Sequence, residues 1–326
     1  MGRGSRWKND SAMNAKRIVI AGGSGFIGRA LAREFFARHH EVVILTRSTR
    51  ERTDGIREVA WDGWHLGEWI QFLDGAAAVI NLAGKNINCP HTPENLRAIA
   101  ASRVDSVNAL AAALAQVKTP PPVWVQAGAI GFYGDTRDRD CDESAAAGSD
   151  APAEICRQWE AAFDAATPPV TRKVLLRTGF VLGRDGGALP VLARLTKLFL
   201  GGAAGDGGQF VSWIHLADLT AMFVAAVERE NLSGTFNAVA PEPVTNAEFM
   251  RELRRALRRP WSPPAPEFAV RLGARLMKSE PSLALASQRC VPKKFLAAGF
   301  GYRFPQLRGA LENLCAEITG PHRRAR

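Results

Sequence analysis

Gly22-Gly23-Ser24-Gly25-Phe26-Ile27-Gly28 sets glycines at a repeated three-residue spacing. Between a strand and a helix, such glycines let backbone amides and the helix N-terminus approach a pyrophosphate. The flanks supply that setting. Arg17-Ile18-Val19-Ile20-Ala21 reads as a short, β-branched, buried strand. Residues 29–37 read as a helix, with an apolar stripe at Ile27, Leu31, Phe35 and Phe36. A second strand follows at 41–45. The loop is therefore expected to bind a dinucleotide; the plainer alternative is a glycine turn that only packs helix on strand.

The second strand ends in Leu45-Thr46-Arg47-Ser48. An acidic residue at that edge would bond a ribose 2′-hydroxyl, whereas an arginine fork suits a 2′-phosphate. Arg47 thus favours NADP(H) over NAD(H). A third strand, within 76–80, runs out into Asn81-Leu82-Ala83-Gly84, small enough for a cofactor to approach the backbone. Arg103, Gly128 and Arg177 complete the candidate cofactor contacts.

Three side chains are candidates for proton transfer or nucleophilic chemistry: Tyr133, on the turn after the 122–129 strand, Cys156 and His215. Each has a structural alternative: a packed phenol, an inert buried thiol and a histidine that supports the fold. Tyr133, Gln209, Ser212 and Trp213 are candidate substrate contacts. Glycine-rich stretches at 185–187 and 201–208 flank an apolar and basic segment and read either as the frame of a substrate entrance or as surface loops. No cysteine or histidine spacing suggests a metal site.

Strand and helix alternate to about residue 183, which predicts a doubly wound parallel α/β sheet of Rossmann type with a smaller, mostly helical C-terminal substrate domain. The expected divisions are 1–15, a disordered extension in which Met13 is a candidate start; 16–183, the dinucleotide-binding domain; 184–234, substrate-region loops and a helix; 235–260, a returning strand and helix; and 261–326, a small C-terminal domain with a basic tail. Asp150 or Ser149 is expected to cap one helix, and Thr245-Asn246-Ala247-Glu248 is a capping box for another.

With 326 residues and 46% hydrophobic content, the chain can bury a large core. No run of about 18 apolar residues appears, so no spanning helix and no membrane partner are expected. The five scattered cysteines and the polar N-terminus fit a cytoplasmic protein without a disulfide framework. The net charge of +10 favours an anionic ligand. The basic cluster Arg251, Arg254, Arg255, Arg258 and Arg259 reads as a solvated helix face, and no specific nucleic-acid motif accompanies it.

Several of these segments resemble the extended, epimerase/dehydratase branch of the short-chain dehydrogenase/reductases. They are the glycine loop, Asn81-Leu82-Ala83-Gly84, Phe132-Tyr133-Gly134, and Trp213-Ile214-His215 with Asp218. Along most of the chain the resemblance narrows to an atypical NAD(P)-dependent epimerase-family subgroup with a C-terminal domain of unknown function, sometimes carrying a sugar-nucleotide epimerase or cell-division-inhibitor label. It is carried by residues 177–183, 208–215 and 237–246, by Val291-Pro292-Lys293-Lys294-Phe295 and by Ala298-Gly299-Phe300.

Extended reductases use Tyr-x-x-x-Lys, the lysine lowering the tyrosine pKa. Here the expected pair falls near Pro152 and Cys156, and Gly128 or Ala129 replaces the usual serine. The resemblance also implies a homodimer built on a helix pair, for which 96–114 and 151–166 are the candidates. Two readings follow. One is an atypical NADP(H)-dependent oxidoreductase or epimerase-like enzyme acting on a small polar molecule. The other is a non-catalytic NADP(H)-binding sensor or regulatory protein.

Overall fold

Ile18 and Ile20 point to one face of the first strand, and Val19 and Ala21 to the other. All four are buried, so both faces of the sheet need cover, as in parallel α/β folds. The computed structural model describes residues 15–316; all but the last residue of the expected 1–15 extension, the candidate start at Met13 and the basic tail from 317 lie outside the described residues.

The chain runs β1 (Arg17–Ala21), α1 (Phe26–Ala37), β2 (Glu41–Thr46), β3 (Arg57–Ala60), β4 (Ala78–Asn81), α2 (Pro93–Leu114), β5 (Val123–Ala129), α3 (Ala151–Ala165) and β6 (Arg172–Thr178). It continues through β7 (Phe180–Leu182), α4 (Leu189–Lys197), β8 (Phe210–Val211), β9 (Trp213–His215), α5 (Leu216–Glu228), β10 (Gly234–Ala238), β11 (Val244–Thr245) and α6 (Asn246–Ala256). The last helices are α7 (Glu267–Leu276), α8 (Ser282–Leu285), α9 (Lys293–Ala297) and α10 (Leu307–Cys315). Among the described residues, seven parallel strands form the main sheet in the order β10-β6-β5-β4-β1-β2-β3. The order reverses between β1 and β4, the position where ligands of such sheets bind.

Helices α1 and α5 cover one face through Leu31, Phe35, Leu219, Met222 and Phe223. Helices α2 and α3 cover the other through Val107, Leu110, Trp159 and Phe163. Each such side chain contributes about 1.5–3 kcal/mol when fully buried. A further core joins β9, α4, α6 and α10 through Trp213, Leu189, Phe249, Leu253 and Leu311. Phe295 of α9 and Phe300 join the core on the α1–α5 face, so the C-terminal segment packs directly on the main sheet.

Local signals set the helix starts. Asp150 accepts from Ala153 N–H at 2.9 Å to cap α3, and Thr245 accepts from Glu248 N–H at 3.2 Å to cap α6. Helix α2 begins earlier than its apolar pattern suggests, because Thr92 caps it and Pro93 occupies its first turn.

Three local expectations change. Phe36 is 43% exposed, with its ring over Gly55, and does not join the inward stripe of α1. Strand β3, Arg-Glu-Val-Ala, carries too weak an apolar pattern to stand out in the sequence. The run 173–183, which reads in the sequence as one strand with its exit loop, divides at Gly179: β6 ends at Thr178, and β7 pairs instead with β9. A Cβ at Gly179 would lie 2.5 Å from the Ser212 carbonyl oxygen, so only glycine admits this close crossing.

No described helix is long and apolar enough to cross a membrane. Cys89, Cys141, Cys156 and Cys290 are unbridged thiols. The described residues contain no cluster of metal-ligating side chains.

Candidate functional site

The glycine loop lies where β1 feeds α1. Gly22 has φ +74° and donates its N–H to the Leu45 carbonyl at 2.9 Å. A Cβ there would come within 2.9 Å of the Ala83 nitrogen, and one at Gly28 within 2.5 Å of Gly23. The loop is thus pressed against the exit of β4 and against itself, leaving its backbone bare. Gly25 is the N-cap of α1 and provides no side-chain cap, so the first-turn amides are available to an anion. Ser24 and Thr46 share a hydroxyl hydrogen bond of 3.0 Å, and Arg29 donates to the Ser24 carbonyl at 3.0 Å. Phe26 packs against Gly183 and Gly186, and Ile27 packs on the sheet core. Arg47, exposed just past β2, takes part in no ion pair among the described residues.

At the end of β4, Asn81 is fully buried. Its amide donates to Ser106 Oγ at 3.1 Å and Gln126 Oε1 at 3.0 Å, while its Oδ1 accepts from Ala83 N–H at 3.0 Å. These bonds fix the turn through Leu82, Ala83 and Gly84. A Cβ on Gly84 would sit 3.2 Å from Arg103 Cζ. Arg103 donates to the Lys85 and Ile99 carbonyls at 3.0 and 3.1 Å and lies 5.1 Å over the Trp159 ring. Cys156 comes next to this group, its Sγ 3.6 Å from where a Gly131 side chain would begin. Burial, reinforced by the Glu160 charge, pushes the Cys156 thiol up to about 12. It therefore keeps its proton at neutral pH and is no thiolate nucleophile.

Tyr133 is 1% exposed. Its hydroxyl donates to Asn237 Oδ1 at 2.8 Å and accepts from Arg177 Nη1 at 2.8 Å, and burial pushes its pKa up to about 12. Its one proton goes to Asn237 in this arrangement. Arg177 is likewise committed. It meets Glu160 in two hydrogen bonds of 2.9 and 2.7 Å, and its guanidinium lies 3.5 Å over the Phe132 ring. Burial lowers the Arg177 pKa, but the Glu160 hydrogen bond and charge outweigh it and keep the group protonated. Arg177 is therefore a strut between β6 and α3, with three of its donors on Glu160 and Tyr133. Gly128 sits in β5 at the same register as Arg177, with Leu175 beside it.

The other candidates tie the C-terminal segment down. Gln209 donates to the Ala204 and Ala284 carbonyls at 3.1 and 2.8 Å. Buried Ser212 bonds the Gln288 carbonyl at 2.8 Å and accepts from Cys290 N–H at 2.8 Å. Trp213 donates its indole N–H to the Glu242 carbonyl at 3.2 Å. His215 Nδ1 accepts from Ala217 N–H at 3.0 Å and so caps α5; that bond puts the proton on Nε2, 3.3 Å from Asn313 Oδ1. The ring stacks on Phe304 at 3.9 Å, and burial lowers its pKa. Ser212, Trp213 and His215 are buried, and these hydrogen bonds hold them within the fold.

The structure thus brings Gly22–Gly28, Thr46 and the Asn81–Gly84 turn together at the switch point of the sheet, and Arg103, Cys156 and Gly131 together beside it. Sequence reasoning missed Glu160 and Asn237, the two polar ends of the buried chain through Arg177 and Tyr133. It also missed Gln288, whose amide nitrogen lies 4.0 Å from the Gly131 Cβ position. Asn237 opens the 237–246 segment that carries the resemblance, whereas Glu160 and Gln288 lie in no such segment.

A family model described as the NAD dependent epimerase/dehydratase family matches residues 18–238, and one described as a domain of unknown function, DUF1731, matches residues 265–314. The Bos taurus epimerase family protein SDR39U1 is 36% identical over 306 residues, which span 92% of this chain and 100% of that protein. A chloroplastic SDR39U1 homolog from Arabidopsis thaliana is 32% identical, over 90% of this chain and 85% of its own. The crystal structure of human SDR39U1 isoform 2 with NADPH matches at TM-score 0.82 and 33% identity, covering 92% of this chain and 99% of that one. With a family model spanning residues 18–238 and relatives of this identity along nearly its whole length, the chain belongs to the NAD dependent epimerase/dehydratase family.

Proposed function

We propose that the chain is an NADP(H)-binding, epimerase-like oxidoreductase that acts on a small polar molecule at the switch point of its sheet. The observation that carries this reading is the bare glycine cradle, where a Cβ at Gly22 or Gly28 would meet backbone at 2.9 or 2.5 Å. The human SDR39U1 structure, which holds NADPH, supports it. The Ser24 amide and the first-turn amides of α1, from Phe26 to Gly28, would hold the pyrophosphate, while the Gly22, Gly23 and Gly25 amides brace the loop on internal carbonyls. Ser24, Thr46 and Arg47 would hold the phosphorylated ribose, the arginine preferring NADP(H) to NAD(H). The backbone of Leu82, Ala83 and Gly84 would border the cofactor.

When bound, the nicotinamide supplies or accepts a hydride. The residues around it position and shield. Asn81 fixes the β4 turn, Arg103 braces it from α2, and Cys156 holds a proton on Sγ beside the exit of β5. With Tyr133 committed to Asn237, Cys156 is the remaining donor among the three candidates. A homodimer pairing α2 and α3 belongs to the same proposal and is tested by light scattering.

The commitment of Tyr133 and His215 to internal hydrogen bonds favours a second reading, a non-catalytic NADP(H) sensor. A metabolite screen with NADPH, read at the nicotinamide absorbance, separates the two. Oxidation of NADPH by one class of carbonyl compound or nucleotide sugar supports the enzyme. Tight binding without turnover across a broad screen supports the sensor.

A further inference from the structure

Large apolar side chains stand in water at the end of α4 and along α7. Leu198, Phe199 and Leu200 follow α4 at 61, 47 and 60% exposure, and Trp261 is 65% exposed. On α7, Phe268, Leu272 and Leu276 are 73, 57 and 77% exposed. Their four-residue spacing puts them in one row about 12 Å long. The segments adjoin one another. Arg259 lies 5.3 Å over the Phe199 ring, and Arg254 donates to the Gly201 carbonyl at 2.8 Å. Ala265 N–H donates to the Ala203 carbonyl at 2.8 Å, which joins that loop to the chain just before α7.

Cations flank the apolar row on α7 and close the neighbouring helices. Arg194 and Lys197 close α4, Arg255 and Arg258 lie at the end of α6, and Arg271, Arg275 and Lys278 lie on and after α7. Of these, only Arg271 shares an ion pair among the described residues, with Glu267. An apolar row flanked by cations matches a surface that is greasy in depth and anionic at its edge. A second copy of this chain would bring two sets of cations together, which like-charge repulsion opposes.

We propose that this face binds an anionic phospholipid bilayer peripherally, with α7 in the headgroup plane and Phe268, Leu272 and Leu276 dipping below it. This departs from the sequence expectation of no membrane partner. The test floats the full chain with vesicles of phosphatidylcholine and phosphatidylglycerol in equal parts, and with phosphatidylcholine alone. The mixed vesicles should carry the protein, and phosphatidylcholine alone about tenfold less of it. Phe268→Asp with Leu272→Asp should cut flotation by about tenfold or more while leaving thermal unfolding unchanged. Added mixed vesicles should blue-shift tryptophan emission, and Trp261→Phe should remove that shift.

Absence of flotation on mixed vesicles overturns the proposal. So does flotation that survives the double substitution, because charge alone is then the attachment. Loss of self-association in the double variant, without flotation of the parent, assigns the face to a second copy. Capture of an acidic protein without lipid binding assigns it to a protein partner.

Discussion

Glu160 on α3 grips Arg177 on β6 through two hydrogen bonds of 2.9 and 2.7 Å, and the same guanidinium donates to the Tyr133 hydroxyl at 2.8 Å. Helix, strand and the turn after β5 are thereby locked beside the candidate site. Removing one partner leaves a buried charge alone. Glu160→Gln or Arg177→Met should each destabilise the fold by about 3–5 kcal/mol. The double variant should lose less than the sum of the two. Denaturant unfolding of the three variants measures this; additive losses would show that the pair is not coupled.

Tyr133→Phe removes a hydroxyl that serves Asn237 and Arg177 at once. It should cost about 1–3 kcal/mol of stability, since two buried polar groups lose a partner. NADPH affinity should stay at the parent value. A variant of full stability with turnover abolished would instead return Tyr133 to the chemistry.

Gly22 adopts φ +74° directly against Ala83. Gly22→Ala should therefore strain the loop by about 1–3 kcal/mol and weaken NADPH binding by at least about tenfold. Isothermal titration and thermal unfolding on one sample read both effects, and unaltered affinity would count against the cradle.

His215 titrates below its ordinary range, chiefly because it is buried. Its folded pKa lies under the unfolded value of about 6.5, so the unfolded chain binds the extra proton first. Its contribution to stability is full above the unfolded pKa and is lost as pH falls through the folded one. Melting temperature should drop on acidification below about pH 6.5, and His215→Asn, which keeps a cap at this position, should flatten that slope. Parallel slopes for the two proteins would place the acid sensitivity elsewhere.

The parallel sheet was legible because its signals are local: β-branched runs, a glycine turn and helices with one apolar face. The strand–turn–helix setting of Gly22–Gly28 was legible for the same reason. The division at Gly179 was hidden because its cause, the Ser212 carbonyl, belongs to a different part of the chain. The commitments of the candidate side chains were hidden likewise. Tyr133 meets Asn237 across 104 positions, and Ser212 meets Cys290 across 78. Spacing along the chain marks which groups can react, whereas distant partners decide whether those groups are already engaged.

The most direct measurement is the affinity of the purified protein for NADPH and NADH, with Arg47→Glu alongside. A charge-assisted bond to the 2′-phosphate contributes about 1.5–3 kcal/mol, so NADPH should bind at least about tenfold more tightly than NADH. Arg47→Glu should erase that difference while leaving NADH binding intact. Equal affinities in the parent protein would contradict the role of Arg47. Failure of both nucleotides to bind would contradict the reading of the glycine cradle itself.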